Sequence, residues 1–145
     1  MTTPSETGQE ALQRLPHGPE FRFVDRLITL TPGQEGTGEY RVRGDEPFLR
    51  GHFPGKPLFP GVLLVEAGAQ LAGVVAQCAP DIAPLAGLKL TAMRGVKILG
   101  TARPGETIQL WALITGRMGR LIQASVSAHV SGVAVLTAEL TLSGT

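Results

Sequence analysis

From residue 61 the chain runs Gly-Val-Leu-Leu-Val-Glu-Ala-Gly-Ala-Gln-Leu-Ala-Gly-Val-Val-Ala-Gln, apolar or small at nearly every position. A run of this length without turn residues predicts a helix over about residues 61–77. Pro60 and Gly61 suit its start, because a first-turn N–H has no helical partner to lose. Ala79-Pro80-Asp81 marks its end. A helix greasy on every side should be enclosed by the rest of the fold. Its exceptions are ordered: at about 100° per residue, Glu66, Gln70, Gly73 and Gln77 fall along one line.

The remaining pattern has a period of two. Leu121 to Val130 sets Ile122, Ala124, Val126, Ala128 and Val130 against Gln123, Ser125, Ser127 and His129, which predicts a half-buried strand with His129 facing solvent. Val133 to Leu142 predicts another, and Thr107 to Thr115 a third, separated by turns at Gly116 to Gly119 and Ser131-Gly132. Before the helix, Phe21 to Thr31 predicts a strand, Thr31-Pro32-Gly33-Gln34 a turn, and Gly36 to Arg43 a weakly patterned return strand. After it, Pro80 to Pro84 reads as a connector and the apolar positions of Leu85 to Leu99 suggest strand. One buried helix followed by consecutive antiparallel strands is α+β organisation. Residues 1–9 are polar and expected to be poorly ordered, with a short helical turn over 10–14, so residues 10–145 form one domain.

Composition narrows the class. The chain has 145 residues, 43% apolar but only 5% aromatic, so its core is built from Ala, Val, Leu and Ile. A net charge of +1 argues against a general nucleic-acid binder. Cys78 is the only cysteine, which rules out an internal disulfide and a cysteine metal cluster. Residues 1–10 carry neither a basic stretch nor an apolar run, so no signal peptide or membrane anchor is expected there and a cytoplasmic location follows by default.

The candidate chemistry sits where the loop meets the helix. Residues 51–61 are broken by glycine and proline and carry one histidine, His52, fourteen positions before Glu66. A carboxylate on a buried helix is expensive, so Glu66 should be paired, for instance with a buried arginine, emerge at an uncovered end, or be held protonated. A histidine beside a neutralised glutamate forms an acid–base pair.

These residues resemble a family. Asp45-Glu46-Pro47-Phe48-Leu49-Arg50-Gly51-His52-Phe53-Pro54-Gly55, then Pro57, Pro60-Gly61-Val62-Leu63, Val65-Glu66-Ala67 and Ala69-Gln70, is similar to the signature of the FabZ-type 3-hydroxyacyl-acyl-carrier-protein dehydratases. Leu15-Pro16-His17, Phe23-Val24-Asp25-Arg26 and Arg103-Pro104-Gly105-Glu106 resemble further family motifs. Gly18-Pro19-Glu20 and Leu99-Gly100-Thr101 depart from the family's usual residues.

The resemblance implies the hot-dog fold, an antiparallel sheet around one central helix, working as a dimer or a trimer of dimers. It implies removal of water from a 3-hydroxyacyl thioester on acyl carrier protein to give the trans-2-enoyl product, in fatty-acid or related synthesis, with no metal and no cofactor. By position His52 corresponds to the catalytic histidine, Glu66 to the catalytic carboxylate and Gly61 to the glycine whose N–H binds the thioester carbonyl, the His and Glu of one site coming from different subunits. Unpaired N–H groups at the positive end of a helix dipole suit such an oxygen.

Gln70, one turn beyond Glu66, either orients the carboxyl or is satisfied by backbone. Phe48, Phe53 and Phe59 either line an acyl tunnel or pack the loop. Lys56, Arg94, Lys97 and Arg103 are candidates for docking an acidic carrier protein. A hot-dog thioesterase, a coenzyme A-specific enoyl hydratase and a non-catalytic acyl-binding module are the alternative readings.

Overall fold

The computed structural model describes residues 6–13 and 15–145. Six strands form one antiparallel sheet: β1 (Arg26–Thr31), β2 (Glu35–Arg41), β3 (Lys89–Ile98), β4 (Thr107–Met118), β5 (Leu121–Val130) and β6 (Val133–Ser143), in the order β1-β2-β4-β5-β6-β3. A short helix α1 (Glu6–Gln13) precedes them, and the long helix α2 (Gly61–Gln77) lies against β2, β4, β5 and β6. This is the α+β hot-dog arrangement.

The long helix has the bounds its sequence predicts, and Val62 is its only exposed residue. Close packing rests on glycine. A Cβ at Gly68 would stand 2.9 Å from the Val126 side chain, and one at Gly36 of β2 would stand 2.7 Å from Val75 Cγ2. The weak pattern of β2 thus has a cause: alternate positions 36, 38 and 40 face α2, and glycine at two of them lets the helix approach. The carboxyl end of α2 is satisfied from outside, Arg117 Nη1 donating to Ala76 O at 3.0 Å and the Gly33 N–H to Val75 O at 2.9 Å.

Three segments differ from the sequence expectation. The strand expected over Phe21 to Thr31 begins only at Arg26, because Pro19–Phe21 forms a 3₁₀ turn and residues 22–25 are held by other contacts. Helix α1 starts at Glu6 rather than near residue 10; the rest of the stretch expected to be poorly ordered, residues 1–5, lies outside the described residues. The turn expected from Gly116 is taken up by β4, which continues to Met118 and hands over to β5 through Gly119, at φ 58°.

The third strand pairs only with β6 and forms one edge of the sheet. Nearly all of its side chains are exposed, including Met93, Val96 and Ile98, although the segment is rich in apolar residues. Among the described residues, no helix is long and apolar enough to cross a membrane.

Candidate active site

Residues 51–60 are held as a compact loop by their own backbone. The His52 N–H donates to Leu49 O at 3.2 Å, the Leu58 N–H to His52 O at 2.8 Å, and Phe53 and Lys56 exchange N–H···O bonds at 3.3 and 2.9 Å. The Phe59 N–H then ties the loop to Ala102 O at 2.8 Å. His52 Nδ1 lies 3.0 Å from Leu58 O. A carbonyl can only accept, so Nδ1 carries the hydrogen and Nε2 keeps its lone pair. The loop therefore fixes the tautomer of a neutral His52 ring and leaves Nε2 free of this bond.

A second network sets the angle at which the chain enters this loop. Tyr40 Oη donates to Glu46 Oε2 at 2.6 Å, and the N–H groups of Arg43 and Gly44 donate to the same carboxylate at 3.1 and 2.7 Å. Burial alone would raise the Glu46 carboxyl, but these donors outweigh it and hold the group below its ordinary value. Burial, with the neighbouring carboxylate, pushes the Tyr40 phenol upward. Arg43 also pairs with Asp25 at 2.7 Å, tying the loop entrance back to the start of β1.

The polar seam of α2 forms one wall of a cavity of about 700 Å³. Glu66, Gln70, Gly73 and Gln77 all line it, opposite Leu85, Leu88 and Leu90 from the segment before and within β3. Gln70, 2% exposed, spends its amide three ways: Oε1 accepts from the Phe23 N–H at 2.8 Å, and Nε2 donates to Phe21 O at 2.8 Å and to Glu66 Oε2 at 3.0 Å. Gln70 thus bonds both the backbone of residues 21 and 23 and the Glu66 carboxyl. Gln77 stitches the other end, donating to Leu85 O at 2.7 Å and accepting from the Leu85 N–H at 2.9 Å.

Of the outcomes open to a carboxyl on an apolar helix, Glu66 takes pairing, though not with an arginine among the described residues. Besides Gln70, it faces His17, whose Nε2 lies 3.4 Å from Oε2. In the sequence His17 stands out only as part of the Leu15-Pro16-His17 motif, with no role assigned. That motif was the one sequence signal available, since nothing local connects it to a carboxylate on α2.

Within one chain, no hydrogen bond or ion pair among the described residues joins His52 to Glu66, and His52 does not line the cavity. Phe48 and Phe59 also stay out of it. They pack edge-on against each other and against Phe23, with ring centroids 5.7 to 6.0 Å apart. Phe53 is 52% exposed and stacks on the His52 ring at 4.3 Å. A Cβ at Gly61 would stand 2.9 Å from the Ile98 side chain, which would have to shift to admit it. Lys56, Arg94, Lys97 and Arg103 are all exposed, Arg94 and Lys97 on the β3 edge, and His129 is half-buried on β5.

The chain thus joins a hot-dog sheet to a helix whose Glu66 carboxyl is tethered by Gln70, entered from a loop that holds His52 by its Nδ1. A family model described as FabA-like domain matches residues 15–139, and the chain belongs to that family. It is similar to the 3-hydroxyacyl-[acyl-carrier-protein] dehydratase FabZ of Thermoanaerobacter sp. (strain X514), 37% identical over 126 residues that cover 87% of this chain and 88% of the relative. The FabZ of Roseiflexus castenholzii is 42% identical over 106 residues, covering 70% and 71%. Among solved structures, the dehydratase heterocomplex ApeI:P from Xenorhabdus doucetiae shares the fold with a TM-score of 0.77 at 17% identity, over 92% of this chain and 90% of that one.

Proposed function

We propose that this chain dehydrates 3-hydroxyacyl groups carried as thioesters on acyl carrier protein, giving trans-2-enoyl products, and that it does so as a homodimer. The observation that carries the reading is the division of labour between two prepared groups that one chain leaves apart. His52 has its Nδ1 hydrogen committed to Leu58 O, and Glu66 has Oε2 committed to Gln70. Each is fixed by one atom and keeps the other for chemistry.

In the reaction, His52 Nε2 removes a proton from C2, and the electron pair moves into the thioester carbonyl, whose oxygen is stabilised by the Gly61 N–H at the start of α2. The pair returns to form the C2–C3 double bond as the C3–O bond breaks, and Glu66 supplies the proton that turns the leaving hydroxyl into water. The proton now on His52 passes back to Glu66 through solvent. General acid–base groups of this kind contribute about 10²–10⁴-fold each. The acyl chain lies in the cavity along the polar seam, against Leu85, Leu88 and Leu90.

A second copy supplies the missing juxtaposition. The β3 edge offers unpaired backbone and exposed Met93, Val96 and Ile98, a surface that an isolated chain would leave open to association. Ile98 packs over Gly61, so a copy docked along β3 lies beside the amino end of α2.

Complementation tests both parts. His52→Ala and Glu66→Gln should each lower the rate of enoyl formation at least about 100-fold. Co-expressed in equal amounts, the two inactive variants should regain about a quarter of the wild-type rate, since half the dimers are mixed and one of their two sites is intact. Wild-type rates in either variant would refute the site, and no recovery in verified mixed dimers would refute its assembly from two subunits.

A further inference from the structure

The contact between His17 and Glu66 has no part in the reaction as written above, yet it is built with care. Leu15 is buried in the core, and Arg22 holds the turn that follows, Nε donating to His17 O at 2.8 Å and Nη2 to Leu15 O at 3.0 Å. The imidazole stacks on Phe21 with centroids 5.9 Å apart and, with Glu66, lines the cavity. Its Nδ1 is buried and has no hydrogen-bond partner among the described residues. A hydrogen there would be an orphaned buried donor, the kind of group folded proteins avoid. The hydrogen therefore belongs on Nε2, which faces Glu66 Oε2 at 3.4 Å.

We propose that His17 is a positioning residue for the catalytic carboxyl: its Nε2–H and the amide of Gln70 converge on Oε2 of Glu66 and confine the transferable proton to Oε1. The inference rests on Glu66 being the acid of the proposed dehydration. Two donors on one oxygen make that oxygen an acceptor in both protonation states, so the proton given to the leaving hydroxyl has a single address. At 3.4 Å the contact is longer than an ordinary hydrogen bond, as contacts of catalytic groups often are in a free enzyme before substrate binds. His17 touches neither the C2 proton nor the leaving oxygen. Its effect is on how often the carboxyl is correctly turned, which appears in kcat rather than in substrate affinity.

Two substitutions separate positioning from packing. His17→Gln removes the ring but keeps an N–H donor at the reach of Nε2; His17→Phe keeps a ring to stack on Phe21 but has no donor. With 3-hydroxyacyl-carrier substrate, His17→Phe should lower kcat about 10- to 100-fold with KM within about twofold, and His17→Gln should recover kcat to within about fivefold of wild type. A wild-type kcat in His17→Phe, or an equal loss in His17→Gln and His17→Phe, overturns the inference. A Glu66→Gln variant assayed alongside reports on the underlying reading alone: full activity there removes the acid itself, whatever the His17 variants do.

Discussion

Replacing Gln70 by methionine keeps the length and volume of the side chain and removes every hydrogen bond it makes. The cost can be worked from its three partners. The Phe23 N–H is buried and donates to Gln70 Oε1, so losing that acceptor leaves an unsatisfied buried donor at about 1–3 kcal/mol. Phe21 is exposed, so its carbonyl can take water instead and the loss there is small. Glu66 Oε2 loses one donor but is partly open to the cavity, which adds a few tenths. The sum is about 1.5–3.5 kcal/mol, a fall in Tm of roughly 3–14 °C for a chain of this size. Urea unfolding followed by the fluorescence of Trp111, the only tryptophan, measures it, with both proteins at equal concentration because subunit association shifts apparent stability. Gln77→Met is the control, since both of its bonds go to Leu85 in a solvent-bordered connector and its loss should cost about 1 kcal/mol. A Gln70→Met protein within about 0.5 kcal/mol of wild type would show that the amide does not tie residues 21–23 to the helix.

Two further outcomes are expected. Gly36→Ala places a methyl 2.7 Å from Val75 Cγ2, and the resulting overpacking should destabilise the protein by about 1–3 kcal/mol in the same urea assay, with an unchanged midpoint counting against close helix–sheet approach at β2. The Glu46 carboxyl ionises more readily in the folded chain than its ordinary value of 4.5, so its contribution is complete above that pH and is lost as the pH falls through the lower folded value. Tyr40→Phe should therefore lower stability at pH 7 and flatten its decline between about pH 5 and pH 3, and an unaltered slope would mean the phenol does not hold that carboxylate.

Much of this molecule is legible along the chain because it is local. The bounds of α2, its polar seam, the alternation of β5 and β6, and the loop that carries His52 all follow from spacing and turn chemistry. The motif residues around His52 and Glu66 are equally visible, and by themselves they resemble the family to which the chain belongs.

What the tertiary structure decided concerns groups far apart in sequence. Hydrophobic periodicity reports which face of an element is buried but says nothing about which side chain meets it, so Gln70 reaching Phe21 and Phe23, and His17 reaching Glu66, have no signature in any window of the chain. The third strand makes the same point in reverse: its apolar positions suggest a strand, and only its place as the last strand beside β6 decides that they are left uncovered. Period and propensity act over a few residues, whereas the partner of a buried polar atom is chosen by the fold that surrounds it.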